Sequence, residues 1–336
     1  MIAPAQRNVA IGISAALVNV LFWGIAPAVI KFGLDSVSPF IFLYYRFLFV
    51  IVITTPFLFI FRKKFATIKT PKDLLIMLGI GLLTNPLSLG VLFVGLQYTT
   101  SAAGSILAGI SPLFIVFASA MFLKERITKF EVFGSLLATA GTAFIVLDTP
   151  IQAHASNPLL GNILVVSYNI IWATGVLLMK KYAQKHSPFL FGYTGWFTGF
   201  IVFAVAALMT NAPLVLRPLA LTQIPDALFP ILYMAIFGSV VAFTAYQVAQ
   251  QHLEASHVSI FTYLQPLVTV PLAYFWLKER FGLLFIFGAI VLTIGVIVAE
   301  IHPRSRLHAV MYHKNHYRRF FARIRKKRPV GRLRRA

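Results

Sequence analysis

Apolar residues along this chain gather in long blocks instead of alternating or recurring on a single face. The blocks run over residues 9–30, 39–61, 74–96, 102–123, 130–147, 159–179, 189–209, 227–249, 256–277 and 281–299, and Pro, Gly and charged residues separate them. A helix needs about 20 apolar residues to cross the hydrocarbon layer of a bilayer. The blocks are too long for barrel strands and lack strict alternation. The first exceeds the core of a signal peptide, and no small-residue cleavage site precedes a soluble domain, so it reads as a span. The pattern predicts an all-α integral membrane protein with ten transmembrane helices.

Composition agrees. Charged residues make up 12% of the 336 residues, where a soluble domain carries roughly 25%. With no cysteine, disulfides and thiolate metal sites are excluded. Basic residues crowd into the leader (Arg7), the connections around 62–72, 124–129 and 180–185, and the tail from Arg304 onward. With both termini in the cytoplasm, only Lys31, Arg217, Lys278 and Arg280 fall outside. Lys and Arg concentrate on the cytoplasmic side of membrane proteins. This predicts a multi-pass protein of the plasma (inner) membrane with both ends inside.

The chain repeats itself. Ser38-Pro-Phe-Ile-Phe-Leu-Tyr44 returns as Ser187-Pro-Phe-Leu-Phe-Gly-Tyr193, an offset of 149 at which Trp23 also meets Trp172. Further on the offset is 154: Gln97 meets Gln251, Pro112 meets Pro266, and Leu123-Lys-Glu-Arg126 meets Leu277-Lys-Glu-Arg280. Gly134 and Gly141 meet Gly288 and Gly295 in the same register. So many matches in one order define two units, 1–150 and 158–301, followed by a basic tail, 302–336. Five spans per unit is odd, so the second copy enters the membrane the opposite way round. That gives two inverted five-helix repeats with a site expected near the midplane. Inversion also accounts for the outside Lys278 and Arg280, the images of Lys124 and Arg126.

The segments Ser105–Arg126 and Ser259–Arg280, each ending in Phe/Trp-Leu-Lys-Glu-Arg and followed by a Gly-containing span, resemble the EamA-type drug/metabolite transporter superfamily. The likeness runs roughly from Val9 to Ile301. It implies an exporter of amino acids or related small polar metabolites, and it leaves the substrate open.

Arg46 is the one formal charge well inside a predicted span, and its repeat mate is Gly195. Burying such a charge in a bilayer costs at least ~2.5 kcal/mol unless it meets water or a partner. A guanidinium fork there suits a substrate carboxylate or phosphate; snorkelling or capping of a neighbouring helix is the alternative. Asn85 and Gln265 each stand just before a mid-span proline, where freed backbone groups are tolerated if they line a cavity. Pro112 and Pro266 form a repeat-paired set of candidate hinges. Trp23, Trp172, Tyr44 and Tyr193 are repeat-paired aromatics, and Tyr263 adds hydroxyl capacity; interfacial anchoring and helix packing compete with a cavity role for them. The paired glycines, two helical turns apart, read as close-packing faces.

No H-E-x-x-H, G-x-S-x-G or Walker A run is present, and no acidic residue reaches a span centre. The sequence therefore predicts no enzyme, catalytic residue, cofactor or metal. Expected partners are a small-molecule substrate and the lipid bilayer, and a homodimer is compatible with the same reading. A membrane scaffold or sensor working through the tail is the alternative function. From Arg304 to Ala336 the tail has thirteen basic residues and no acid, which points to anionic lipid; tethering beside a membrane argues against nucleic acid.

Leu307, Val310, Met311, Tyr317, Phe320, Phe321 and Ile324 recur at spacings near three and four. A peptide covering 304–336 is therefore expected to be unfolded in water, and circular dichroism should register helix on anionic vesicles but not on neutral ones. High salt should weaken that binding. Equal helix gain on neutral vesicles would contradict the electrostatic reading.

Overall fold

The structure, a computed structural model, describes residues 4–60, 70–111, 114, 118, 128–147, 156–183, 188–216, 221–222, 224–253, 258 and 261–300. Pro112, the first Leu-Lys-Glu-Arg run and the tail lie outside the described residues.

Proline opens most of the helices. It stands first in α1 (Pro4–Leu34), α2 (Pro39–Ile60), α3 (Pro71–Tyr98), α6 (Pro158–Ala183), α7 (Pro188–Leu216) and α8 (Pro225–His252). Its missing N–H costs nothing at that position, and its fixed φ suits the first turn. In α3 a capping box reinforces the start: the Asp73 N–H donates to Thr70 Oγ1, and the Thr70 N–H donates to the Asp73 carboxylate. The remaining helices are α4 (Ser101–Ala108), α5 (Lys129–Leu147), α9 (Gln265–Phe275) and α10 (Leu283–Glu300). Among the described residues six helices are long and apolar enough to cross a membrane: α1, α2, α3, α6, α7 and α8. Shorter apolar stretches, Val132–Ile145 and Leu283–Gly295, lie in α5 and α10.

Large apolar side chains stand on the surface, and the interior, though mainly apolar, also holds polar side chains. Phe59, Ile60, Leu75, Met209 and Leu283 are exposed, while Asn19, Arg46, Asn85, Ser105, Asn169, Thr269 and Glu279 are buried. Side chains that would be costly in hydrocarbon find partners inside: Asn169 donates to the Leu107 carbonyl, and Ser105 donates to Thr269.

Glycine sets the closest helix approach. α5 and α10 run antiparallel, with Gly141 against Gly288 and Leu292, and Gly295 against Gly134 and Ala138. A Cβ on Gly288 would stand 2.7 Å from the Gly141 carbonyl oxygen, inside any van der Waals contact. These are the glycines that repeat at the 154 offset, and each pair meets the other pair rather than its own kind at random. Small residues of this sort let helix backbones touch where apolar burial alone gives no drive.

Two buried charges tie one end of the bundle. Lys31 lies inside α1, not in a connection, because the helix runs on to Leu34. Its ammonium donates to the carbonyls of Leu96, Gln97 and Thr99 at 2.9, 3.3 and 2.7 Å, closing the C-terminus of α3. Just beyond, the Glu279 carboxylate accepts from the Ser101 N–H and Oγ, each at 2.7 Å, and from the Ala102 N–H at 3.1 Å, closing the N-terminus of α4. Orphan carbonyls meet a cation and orphan amides an anion, the pairing that helix-end polarity favours.

Removing the carboxylate leaves amides without an acceptor in a buried place. Glu279→Ala is expected to destabilise the purified protein by about 1–3 kcal/mol, read as a lowered thermal midpoint in detergent, with Glu279→Gln between it and the parent. An unchanged midpoint for Glu279→Ala would remove the capping role.

Candidate functional site

Two helices, α3 and α8, lose their regular ladder midway. Over Leu83–Leu87 in α3 and Met234–Val241 in α8 the backbone takes π-helical spacing. In α3 the cause is Pro86, which has no N–H to give. In α8 the Gly238-Ser239 pair sits at the distortion, a common place for a helix to bend. π-bulges often mark functional positions. Asn85 and Ser239 occupy these two segments and are 154 positions apart, so they are repeat mates.

A cavity of about 80 Å³ lies between the two segments, room for several waters; a solute with an aromatic body needs it to widen, since roughly 150 Å³ holds one benzene. Arg46, Thr84, Asn85, Tyr168, Ser239 and Gln265 supply its polar lining. Arg46 sits in the first half of α2 and is only 4% exposed. Its Nε donates to Ser239 Oγ at 2.9 Å, and Ser239 Oγ donates in turn to the Met234 carbonyl five residues back, a bond the π spacing permits. Nη1 of Arg46 has no hydrogen-bond partner. The guanidinium carbon stands 5.4 Å from the Phe47 ring centre and 5.7 Å from that of Phe93, so ring faces carry part of its charge. Nε2 of Gln265 is likewise buried without a partner.

The other half differs at one position. Gly195, the repeat mate of Arg46, packs directly on Asn85, and a Cβ there would collide with the Asn85 amide. Arg46 on α2 reaches Ser239 on α8, and Gly195 on α7 meets Asn85 on α3. The two contacts join corresponding residues across opposite helices, one with a cation and one with a void that the amide fills.

The walls are aromatic. Trp23 and Trp172 meet edge to face with ring centres 5.7 Å apart, and the Trp23 indole N–H donates to the Gly238 carbonyl at 2.9 Å. That bond satisfies a carbonyl within the π segment of α8. Five residues predicted from the sequence thus line the cavity: Arg46, Trp23, Trp172, Asn85 and Gln265. Tyr44 and Tyr193 do not line it. Tyr44 packs against Tyr45 and Phe200, and the Tyr193 hydroxyl lies 3.1 Å from that of Thr55. Tyr263 lies in the 3-10 turn Thr262–Leu264, its side chain outside the described atoms, and Pro266 is in the first turn of α9. Sequence reasoning missed Ser239, Tyr168, Trp196 and Phe243, all of which line the cavity. The 154 offset from Asn85 would have found Ser239; the three rings carry no comparable signal. Among the described residues no group of three or more His, Asp or Glu could hold a metal ion.

Comparison with known proteins adds an independent finding. The sequence profile of the EamA-like transporter family matches residues 10–147 and again residues 159–300. A Bacillus subtilis protein named uncharacterized transporter YetK is 28% identical, with 89% of each chain aligned. An uncharacterized transporter of Archaeoglobus fulgidus is 25% identical over 83% of this chain and 93% of the relative. A probable amino-acid metabolite efflux pump of Escherichia coli is 25% identical over 84% of this chain and 92% of the relative. One solved crystal structure shares the fold with a TM-score of 0.63 at 15% identity, covering 88% of this chain and 97% of its own. With two profile matches that together span most of its length, and six helices among the described residues long and apolar enough to span a membrane, this chain belongs to the EamA-like transporter family and is a multi-pass membrane transporter rather than an enzyme.

Proposed function

We propose that the chain is a secondary transporter exporting small polar metabolites, such as amino acids or related compounds, by alternating access between two inverted five-helix repeats. The repeats are residues 1–150 and 158–301. The protein sits in the plasma (inner) membrane with both termini cytoplasmic, and the 302–336 tail lies on anionic lipid. The observation that carries this reading is the guanidinium of Arg46, buried beside a cavity with its Nη1 unpartnered. A charge kept dry and half-satisfied costs stability, and a ligand that completes its hydrogen bonds recovers it.

Three further observations support the reading. The antiparallel α5–α10 contact pairs repeat-mate glycines reciprocally, as a two-fold axis in the membrane plane requires. Asn85 and Ser239 stand on matching π segments at the cavity. A relative of similar length is named a probable amino-acid metabolite efflux pump. In the proposed cycle Trp23 and Trp172 form the aromatic wall, Gln265 and Asn85 orient the solute, and Arg46 holds its anionic group. Tyr44, Tyr193 and Tyr263 contact the substrate in other stages of the cycle, and Pro112 and Pro266 act as paired hinges. The Glu279 cap joins the second repeat to Ser101 and Ala102 of the first, and rocking of one repeat against the other must release it, whereas Lys31 ties two helices of the first repeat together.

Arg46→Ala is expected to lower efflux from loaded vesicles by about 10- to 100-fold, the loss of one or two charge-assisted bonds, while membrane insertion is unchanged. Arg46→Lys should restore only part, since an ammonium lacks the planar fork. Parent-level efflux from Arg46→Ala would sink the substrate role.

A further inference from the structure

The described residues that line the cavity carry charge of one sign only. Nη1 of Arg46 and Nε2 of Gln265 are donors without acceptors, and Arg46 brings a full positive charge. No carboxylate and no imidazole is found among the described residues that line it. The sequence extends the point to the rest of the chain, because all nine acidic residues fall near span ends or in connections. The Ser239 hydroxyl is already engaged on both sides, accepting from Arg46 and donating to Met234. The Trp23 N–H is spent on Gly238. What remains for a solute is therefore one full positive charge and the neutral amides and hydroxyls of Asn85, Gln265, Thr84 and Tyr168 against aromatic walls, with no anion among them. A carboxylate fits that set. The ammonium of an amino acid finds no anion there, and taking an ammonium out of water without one is costly.

Among the described residues that line the cavity there is also no carboxyl or imidazole to carry a coupling proton. Coupling to protons needs a group in the cavity that gains and loses one, and a guanidinium holds its charge. In a uniport cycle the carrier returns to its starting state, so the net charge moved per turn is the charge of the solute alone. A monoanion leaving a cell with a negative interior is driven by the potential, with an equilibrium ratio of about 50-fold for each 100 mV.

We propose that this cavity takes a compact organic monoanion with an aromatic or apolar body and no ammonium group, and that the membrane potential drives its export. The proposal rests on the assignment of Arg46 to the substrate site and narrows the substrate class within it. Its chemistry suits the product of a reaction that removes or replaces the amino group of an aromatic or branched amino acid, leaving the carboxylate.

The test uses the full chain in proteoliposomes loaded with phenylpyruvate or with L-phenylalanine, which share a body and a carboxylate and differ in the ammonium. Valinomycin and a potassium gradient set the potential. Phenylpyruvate efflux is expected to exceed phenylalanine efflux at least tenfold, to rise when the interior is made negative, and to fall when the sign is reversed. Gln265→Glu places a carboxylate in the cavity, and it should raise phenylalanine efflux and depress that of phenylpyruvate. Phenylalanine moving as fast as phenylpyruvate overturns the proposal, as does phenylpyruvate efflux indifferent to the potential, or movement of neither probe. Those results leave the transporter reading standing so long as metabolite release from cells still depends on Arg46. Release that is the same for parent and Arg46→Ala removes that reading and this one together.

Discussion

A guanidinium held in a membrane interior with one nitrogen unpartnered is the constraint on which the rest of this structure turns. Arg46 cannot be left in hydrocarbon, so something must receive it. Ser239 receives its Nε, the rings of Phe47 and Phe93 receive part of its charge, and Nη1 is left buried without a hydrogen-bond partner. Ser239 is in place only because α8 relaxes to π spacing, which lets its hydroxyl reach back five residues to Met234. Trp23 then has a carbonyl to bond at Gly238, and this fixes the ring that meets Trp172. The cavity wall, the helix distortion and the buried charge are one connected arrangement.

The same logic explains why the two halves are alike in backbone and unlike in charge. Both third helices, α3 and α8, are distorted, one by Pro86 and one at Gly238-Ser239. Where α2 carries Arg46, α7 carries Gly195, and Asn85 occupies the room that the missing side chain leaves. A second arginine there would put two like charges against one small cavity, which would repel each other with no carboxylate among the described lining residues to separate them. One cation in a two-fold frame gives the cavity a direction, and so gives a solute one preferred way to lie.

Much of this was legible in the sequence, and what was not has a physical cause. Long apolar blocks and basic connections are properties of composition, so the helical membrane architecture could be read directly. The glycines of α5 and α10 repeat at fixed spacing, and the structure finds them at the closest backbone contact. Arg46 stood out because a charge in an apolar block is costly whatever surrounds it. Lys31 was misjudged because an apolar count stops at a lysine, whereas a helix continues if the ammonium finds carbonyls, and α3 supplies three. Tyr44 and Tyr193 were singled out by repetition alone, which marks shared packing as readily as a shared cavity. Tyr168, Trp196 and Phe243 were invisible because an aromatic ring in a membrane helix looks the same facing a solute, a neighbour or lipid.

The central claim is that a single cavity, holding Arg46, is reached in turn from the two sides of the membrane. The chain has no cysteine, so one introduced thiol reports alone. Ala108 lines the cavity and carries no polar group, so Ala108→Cys leaves the site intact. Labelling by a membrane-impermeant maleimide should occur in right-side-out and in inverted vesicles, and saturating phenylpyruvate or another exported solute should slow both, unless Arg46 is also changed to Ala. Labelling from one face alone, or protection that survives the loss of Arg46, would contradict the account.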